Sequence, residues 1–175
     1  MDARPLTSEN LADLGQLLCT ERSSSACWCM WFIIGVKAYH QGGAAAKLEA
    51  LAATSAHPLG LIAYRGGQPV GWVAAGPRSR YARAVRTPTM KGIDHSEDDD
   101  VWLVPCFFIR ADMRGRSLSR RLLQRAVELA ATSSASAVEG FPTVGSKRSS
   151  ADQQVGTEAL FESCGFKAIR HPSSN

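Results

Sequence analysis

The chain has 175 residues and a formal net charge of +4, enough for one α/β domain with a real core and too mildly basic to imply nucleic-acid binding. A hydrophobic share of 45% and a mean hydropathy of −0.13 mark an ordinary soluble protein, and no run approaches the length of a membrane helix. Met1-Asp2-Ala3-Arg4-Pro5 lacks the basic-then-apolar pattern of a leader, so a cytoplasmic protein is expected. No repeat or second domain is visible, and residues 1–175 are read as a single domain.

Thr7 or Ser8 caps a first helix running to about Leu18, with Leu11, Leu14, Leu17 and Leu18 near one face. Cys27-Trp28-Cys29-Met30-Trp31-Phe32-Ile33-Ile34 is dense in aromatics and sulfur and reads as buried. Cys27 and Cys29 lack the two-residue spacer of zinc knuckles, and an odd total of five cysteines argues against a disulfide framework, so no metal is expected. Ala44 to Ala53 reads as a short helix. Leu61–Tyr64, Gly66-Gly67 and Val70–Ala75 read as a hairpin with a Gly-Gly turn. A basic segment, Arg78 to Arg86, and an acidic run, Asp94 to Asp100, follow as loops. Each reads first as a solvated loop. Alternatively, the acidic run attracts a cationic amine and the basic segment holds phosphates or an acidic acceptor.

Val101 to Ile109 is too apolar for a surface strand and suits a central one covered on both faces. Pro105 inside it demands a bulge or a missing partner, because proline cannot donate to a ladder. Arg114-Gly115-Arg116-Ser117-Leu118-Ser119 then opens an amphipathic helix with Leu118, Leu122, Ala126, Leu129 and Ala130 on its apolar stripe. A strand feeding a helix through a small-residue turn makes an anion site, since the first N–H groups of a helix are free and its dipole is positive there. Ser136 to Pro142 reads as a further strand, Thr143 to Gln154 as a Ser-rich loop, and Lys167 to Arg170 as a last strand.

The stretch Ile109 to Ser119 resembles the signature of the GNAT superfamily of acyl-CoA-dependent N-acyltransferases, V-x-P-x-Y-R-G-x-G-x-G/A. Met113, Ser117 and Ser119 replace its aromatic residue and its last two small residues. Ala159 to Phe166 resembles the family's late helix and "GF" turn, and Cys27-Trp28-Cys29 resembles a segment of one GNAT branch. With the strands between in family order, the resemblance covers roughly residues 60–170.

The resemblance implies an α/β (α+β) GNAT fold: a mixed central sheet with splayed fourth and fifth strands, flanked by helices on both faces. It implies an N-acetyltransferase moving an acetyl group from acetyl-CoA to a primary amine by direct attack, the alternative being a non-catalytic CoA-binding protein on the same scaffold. The pantetheine arm would lie along Phe107, Phe108 and Ile109, and the pyrophosphate on Arg114, Gly115, Arg116, Ser117, Leu118 and Ser119. The family's central-strand Glu falls at Leu103, which cannot serve, so Asp100 and Glu139 are the nearest candidates for a base acting through water. Glu139 reads equally well as a solvated polar residue. Phe161 stands where the family has its Tyr acid and has no proton to give; Tyr81, Tyr64, Ser117 or solvent would replace it. The acceptor would be a small-molecule or protein amine. The family usually has one more strand after Lys167 to Arg170; were it missing, an unpaired sheet edge would favour a homodimer.

Overall fold

The computed structural model describes residues 2–20, 27–87, 94–143 and 154–169. Five strands form one sheet in sequence order: β1 (Asp2–Pro5), β2 (Gly60–Arg65), β3 (Gln68–Pro77), β4 (Val101–Ile109) and β5 (Ala137–Gly140). From β1 to β4 each strand is antiparallel to its neighbour, while β5 lies parallel to β4. The mixed sheet of the GNAT fold is therefore present. β1 went unread because four residues with an exposed pattern and a terminal Pro carry little strand signal. Conversely, Phe166 to Ile169 form no strand, which corrects the expected last strand; Arg170 lies outside the described residues.

Helices cover both faces. On one, α1 (Leu11–Leu18) and α3 (Ala44–Thr54) pack with Ile62, Tyr64, Trp72, Ala74, Cys106 and Phe108. On the other, α4 (Leu118–Thr132) and α5 (Glu158–Glu162) bury Leu61, Val73, Ala75, Trp102, Val104 and Phe107. A short helix, α2 (Val36–His40), lies before α3. Thr7 caps a 3-10 turn that leads into α1, with a reciprocal Asn10 contact to the Thr7 N–H at 2.9 Å. No described helix is long and apolar enough to cross a membrane.

The β4 side chains reveal the device that shapes the centre of the sheet. Trp102 and Val104 face α4, yet Cys106 and Phe108, of the same parity, face α1. A regular strand repeats every two residues, so an extra residue must intervene. Ala74 pairs with Cys106 and Gly76 with Leu103, leaving Val104 and Pro105 opposite Ala75 alone. That is a β-bulge. Pro105 sits in it, where a missing N–H costs no ladder bond.

Candidate acyl-transfer site

The bulge coincides with the point where β4 and β5 part. Their register runs from Val101–Ala137 to Val104–Gly140 and stops there. From Pro105 to Ile109, β4 keeps β3 on one side and has no ladder partner on the other among the described residues. Backbone groups along that edge have no ladder partner to compete with a ligand. Below the opening, Phe161 packs edge-on against Phe107 at 6.1 Å and Phe166 at 5.0 Å between ring centroids. Its ring lies directly on Gly140, where an added Cβ would meet Cε1 at 2.0 Å.

β4 leads into the turn before α4. Arg114 donates through Nε to the Ile109 carbonyl at 3.0 Å, fastening the turn to the strand end. Gly115 has φ +72° and Ser117 has φ +57°, so two residues of the turn are left-handed. A Cβ on Gly115 would meet nothing within 4 Å, so the surface above it is open. Ser117 holds the conformation glycine would hold, at a cost of about 1–2 kcal/mol for a residue with a Cβ. In that conformation its side chain makes no cap hydrogen bond. The first N–H groups of this 15-residue helix thus have no side-chain cap. Thr157, by contrast, caps α5 through a 3.1 Å bond from the Leu160 N–H. The open, uncapped turn fits a phosphate ligand.

Residues expected to hold CoA are brought together along one path. Phe107 and Phe108 are buried on opposite faces, Ile109 is half-buried, Arg114 to Ser117 are exposed, Leu118 points into the core and Ser119 is half-buried. Glu139 pairs in register with Leu103, one residue before the parting. Its carboxylate accepts from Arg78 Nη1 at 3.2 Å. Asp100 stands elsewhere: exposed, ahead of β4, and five residues from Pro105, roughly 16 Å of extended chain. Its carbonyl accepts from the Ser136 N–H at 2.9 Å, joining the starts of β4 and β5.

Three arginines that look alike in sequence divide here. Arg78, 1% exposed, binds Asp98 at 2.7 Å, Glu139, and the Asp94 carbonyl. Arg80 donates to Pro58 O, Ala75 O, Ser55 Oγ and His57 O. Arg83 stacks its guanidinium 4.0 Å above the Trp31 ring and 5.9 Å from that of Tyr39. Its Nη1 is buried and has no hydrogen-bond partner. Sequence reasoning treated the segment as one basic loop and missed these separate fates, because nothing in the residue types distinguishes them.

The Cys-Trp-Cys segment lies on the α1 face, with Cys29 in a left-handed conformation at φ +58°. Trp72 Nε1 donates to its sulfur at 3.2 Å. The interaction between the Cys29 and Cys106 side chains lowers Cys29 and, with burial, pushes Cys106 well above the usual thiol range. Burial raises Cys27 as well. Among the described residues no group of three or more His, Cys, Asp or Glu is placed to hold a metal. Of the phenols expected to replace the missing acid, Tyr64 donates to Asp13 at 2.6 Å on β2, two strands from the opening. Tyr81 is buried against Leu103.

The family model for the acetyltransferase (GNAT) family matches residues 28–166. This chain belongs to the GNAT acetyltransferase family. Solved structures agree on the fold. An aminoglycoside acetyltransferase from an uncultured soil metagenomic sample has a TM-score of 0.61 at 16% identity, covering 99% of this chain and 97% of the other. The aminoglycoside N-acetyltransferase AAC(6')-Iy, in complex with a CoA-linked bisubstrate analogue, has a TM-score of 0.59 at 16% identity, over 99% and 95% of the chains. A ribosomal-protein-alanine N-acetyltransferase from Brucella melitensis biovar Abortus 2308 gives 0.55 at 16% identity, over 100% and 99%. A search of the curated proteins returned no match. Membership makes this GNAT chain an acyltransferase by family.

Proposed function

We propose that this GNAT protein transfers the acetyl group of acetyl-CoA to a primary amine of a small molecule by direct attack. One observation carries the reading. β4 loses its β5 partner at a bulge, and its freed edge runs straight into an open, uncapped helix start. The edge from Phe107 to Ile109 bonds the pantetheine amides, and the turn from Arg114 to Ser119 holds the pyrophosphate through the N–H groups that follow Arg114. Acetyl-CoA supplies the activated thioester. Backbone N–H groups at the bulge polarise its carbonyl. Glu139, rather than Asp100, takes the amine proton through water, because Glu139 alone of the two lies beside the parting strands. With a phenyl ring at Phe161, water protonates the departing thiolate. Structural likeness to acetyltransferases of aminoglycosides is consistent with a small-molecule acceptor.

The test is release of free thiol from acetyl-CoA against a panel of primary amines, with the acetylated product identified by mass. Turnover is expected, and Glu139→Gln should lower kcat on the order of 10²-fold. Acetyl-CoA binding without turnover on any amine would overturn the catalytic reading in favour of a CoA-binding protein on this scaffold. The absent Tyr hydroxyl at Phe161 is the feature that favours that second reading.

A further inference from the structure

We propose that Arg83 is the acceptor-recognition residue and that it binds a carboxylate, so that the amine acetylated here is itself a carboxylic acid. The proposal rests on the acetyl-transfer reading and names the acceptor class for the same site.

Buried N–H groups without a partner are rare in folded proteins, and each costs about 1–3 kcal/mol, more on a charged group. Arg83 Nη1 is such a group. Its neighbours show that the shortage is specific: Arg78 has three oxygen acceptors and Arg80 has four. Asp98 does not supply Arg83, because it is committed to Arg78 and His95. Stacking on Trp31 uses the flat face of the guanidinium and leaves Nη1, in its plane, without a partner. A carboxylate lies in that plane and accepts two such bonds side by side. Trp31 is 37% exposed.

The position suits an acceptor. Tyr81 and Ala84, which flank Arg83 in the chain, pack on Leu103. Leu103 is one residue short of the place where β4 and β5 part. Trp31 comes from the segment after α1, so Arg83 stands on the α1 face, whereas the turn before α4 belongs to the other layer. A carboxylate held at Arg83 would anchor the acceptor on one side of the sheet while CoA occupies the other. A polycationic acceptor would instead meet a like charge, so the likeness to aminoglycoside acetyltransferases is one of fold and not of acceptor charge.

Matched pairs of N-acetyl amino acids and their amides, spanning small, aromatic and acidic side chains, isolate the carboxylate. They are product analogues and need neither acetyl-CoA nor turnover. Titration followed by tryptophan fluorescence should show at least one acid binding tenfold or more tighter than its amide. In Arg83→Gln that preference should vanish while the circular dichroism spectrum and acetyl-CoA affinity stay unchanged. Acids and amides binding alike in the wild-type protein, none binding at all, or a preference that survives Arg83→Gln, would each overturn the assignment. Failure of acetyl-CoA to bind in a parallel titration would instead strike the acetyl-transfer reading, so the two failures are separable.

Discussion

At the residue scale, the turn before α4 shows what a side chain costs where glycine is the usual choice. Ser117 takes a left-handed conformation because the chain must leave β4 and start α4 with its N–H groups facing outward. A Cβ there clashes with its own backbone, and the fold tolerates that strain. Ser117→Gly should therefore raise stability by about 1 kcal/mol, read as a higher denaturation midpoint at constant slope. It should also leave or tighten acetyl-CoA binding; a lower midpoint would show that Ser117 makes a compensating contact. Arg78, Arg80 and Arg83 teach a complementary lesson. Their charges were visible in the sequence, but which one would be buried, which would staple carbonyls and which would lack a partner depended on residues up to 61 positions away, such as Glu139. Glu139 itself was legible as a carboxylate near the central strand, and its tie to Arg78 was not.

At the scale of elements, the relation between β4, β5 and α5 decides whether a cleft exists. Most of this was readable. The apolar run from Val101 to Ile109, its interrupting Pro105 and the small-residue turn announced a bulged central strand feeding a helix, and the bulge lies where Pro105 stands. The Gly-Gly hairpin and the strand after α4 were also legible from local chemistry. β1 and the lack of a strand from Phe166 to Ile169 were not, because a four-residue edge and a short tail carry no periodic signal. Packing of α5 was invisible too, since it depends on shape: Gly140 ends β5 and admits the Phe161 ring against its backbone. Gly140→Ala should force Phe161 and α5 away from the opening, costing about 2 kcal/mol or more in thermal or chemical unfolding. A variant as stable as the wild type would mean that α5 shifts freely and does not set the width of the gap.

At the scale of the whole molecule, two layers of side chains sandwich one sheet, and the polar groups drawn into them are restrained. All three tyrosines have phenols held above the ordinary value near 10. Burial is the first cause in each; for Tyr64 burial and the Asp13 carboxylate push the value up to about 12. The sign of the linkage follows. An unfolded phenol ionises near pH 10 while the native one stays protonated, so this contribution to stability is complete below pH 10 and is lost as pH rises to about 12. Absorbance near 295 nm should thus show little phenolate in the native protein at pH 10 and a jump on adding denaturant. An ordinary tyrosine titration in the native state would mean the layers are looser than described.

The central claim is that the freed edge of β4 and the start of α4 together bind acetyl-CoA. Calorimetric titration of the wild-type protein and of Gly115→Glu tests it most directly, since Gly115 faces open space at φ +72° and a carboxylate there would occupy the place of the phosphate. Micromolar affinity for acetyl-CoA in the wild type, lost in Gly115→Glu while the circular dichroism spectrum stays native and stability falls only by the about 1–2 kcal/mol that a Cβ costs at positive φ, is the predicted result. No binding at millimolar acetyl-CoA, or equal affinity in the two proteins, would contradict it.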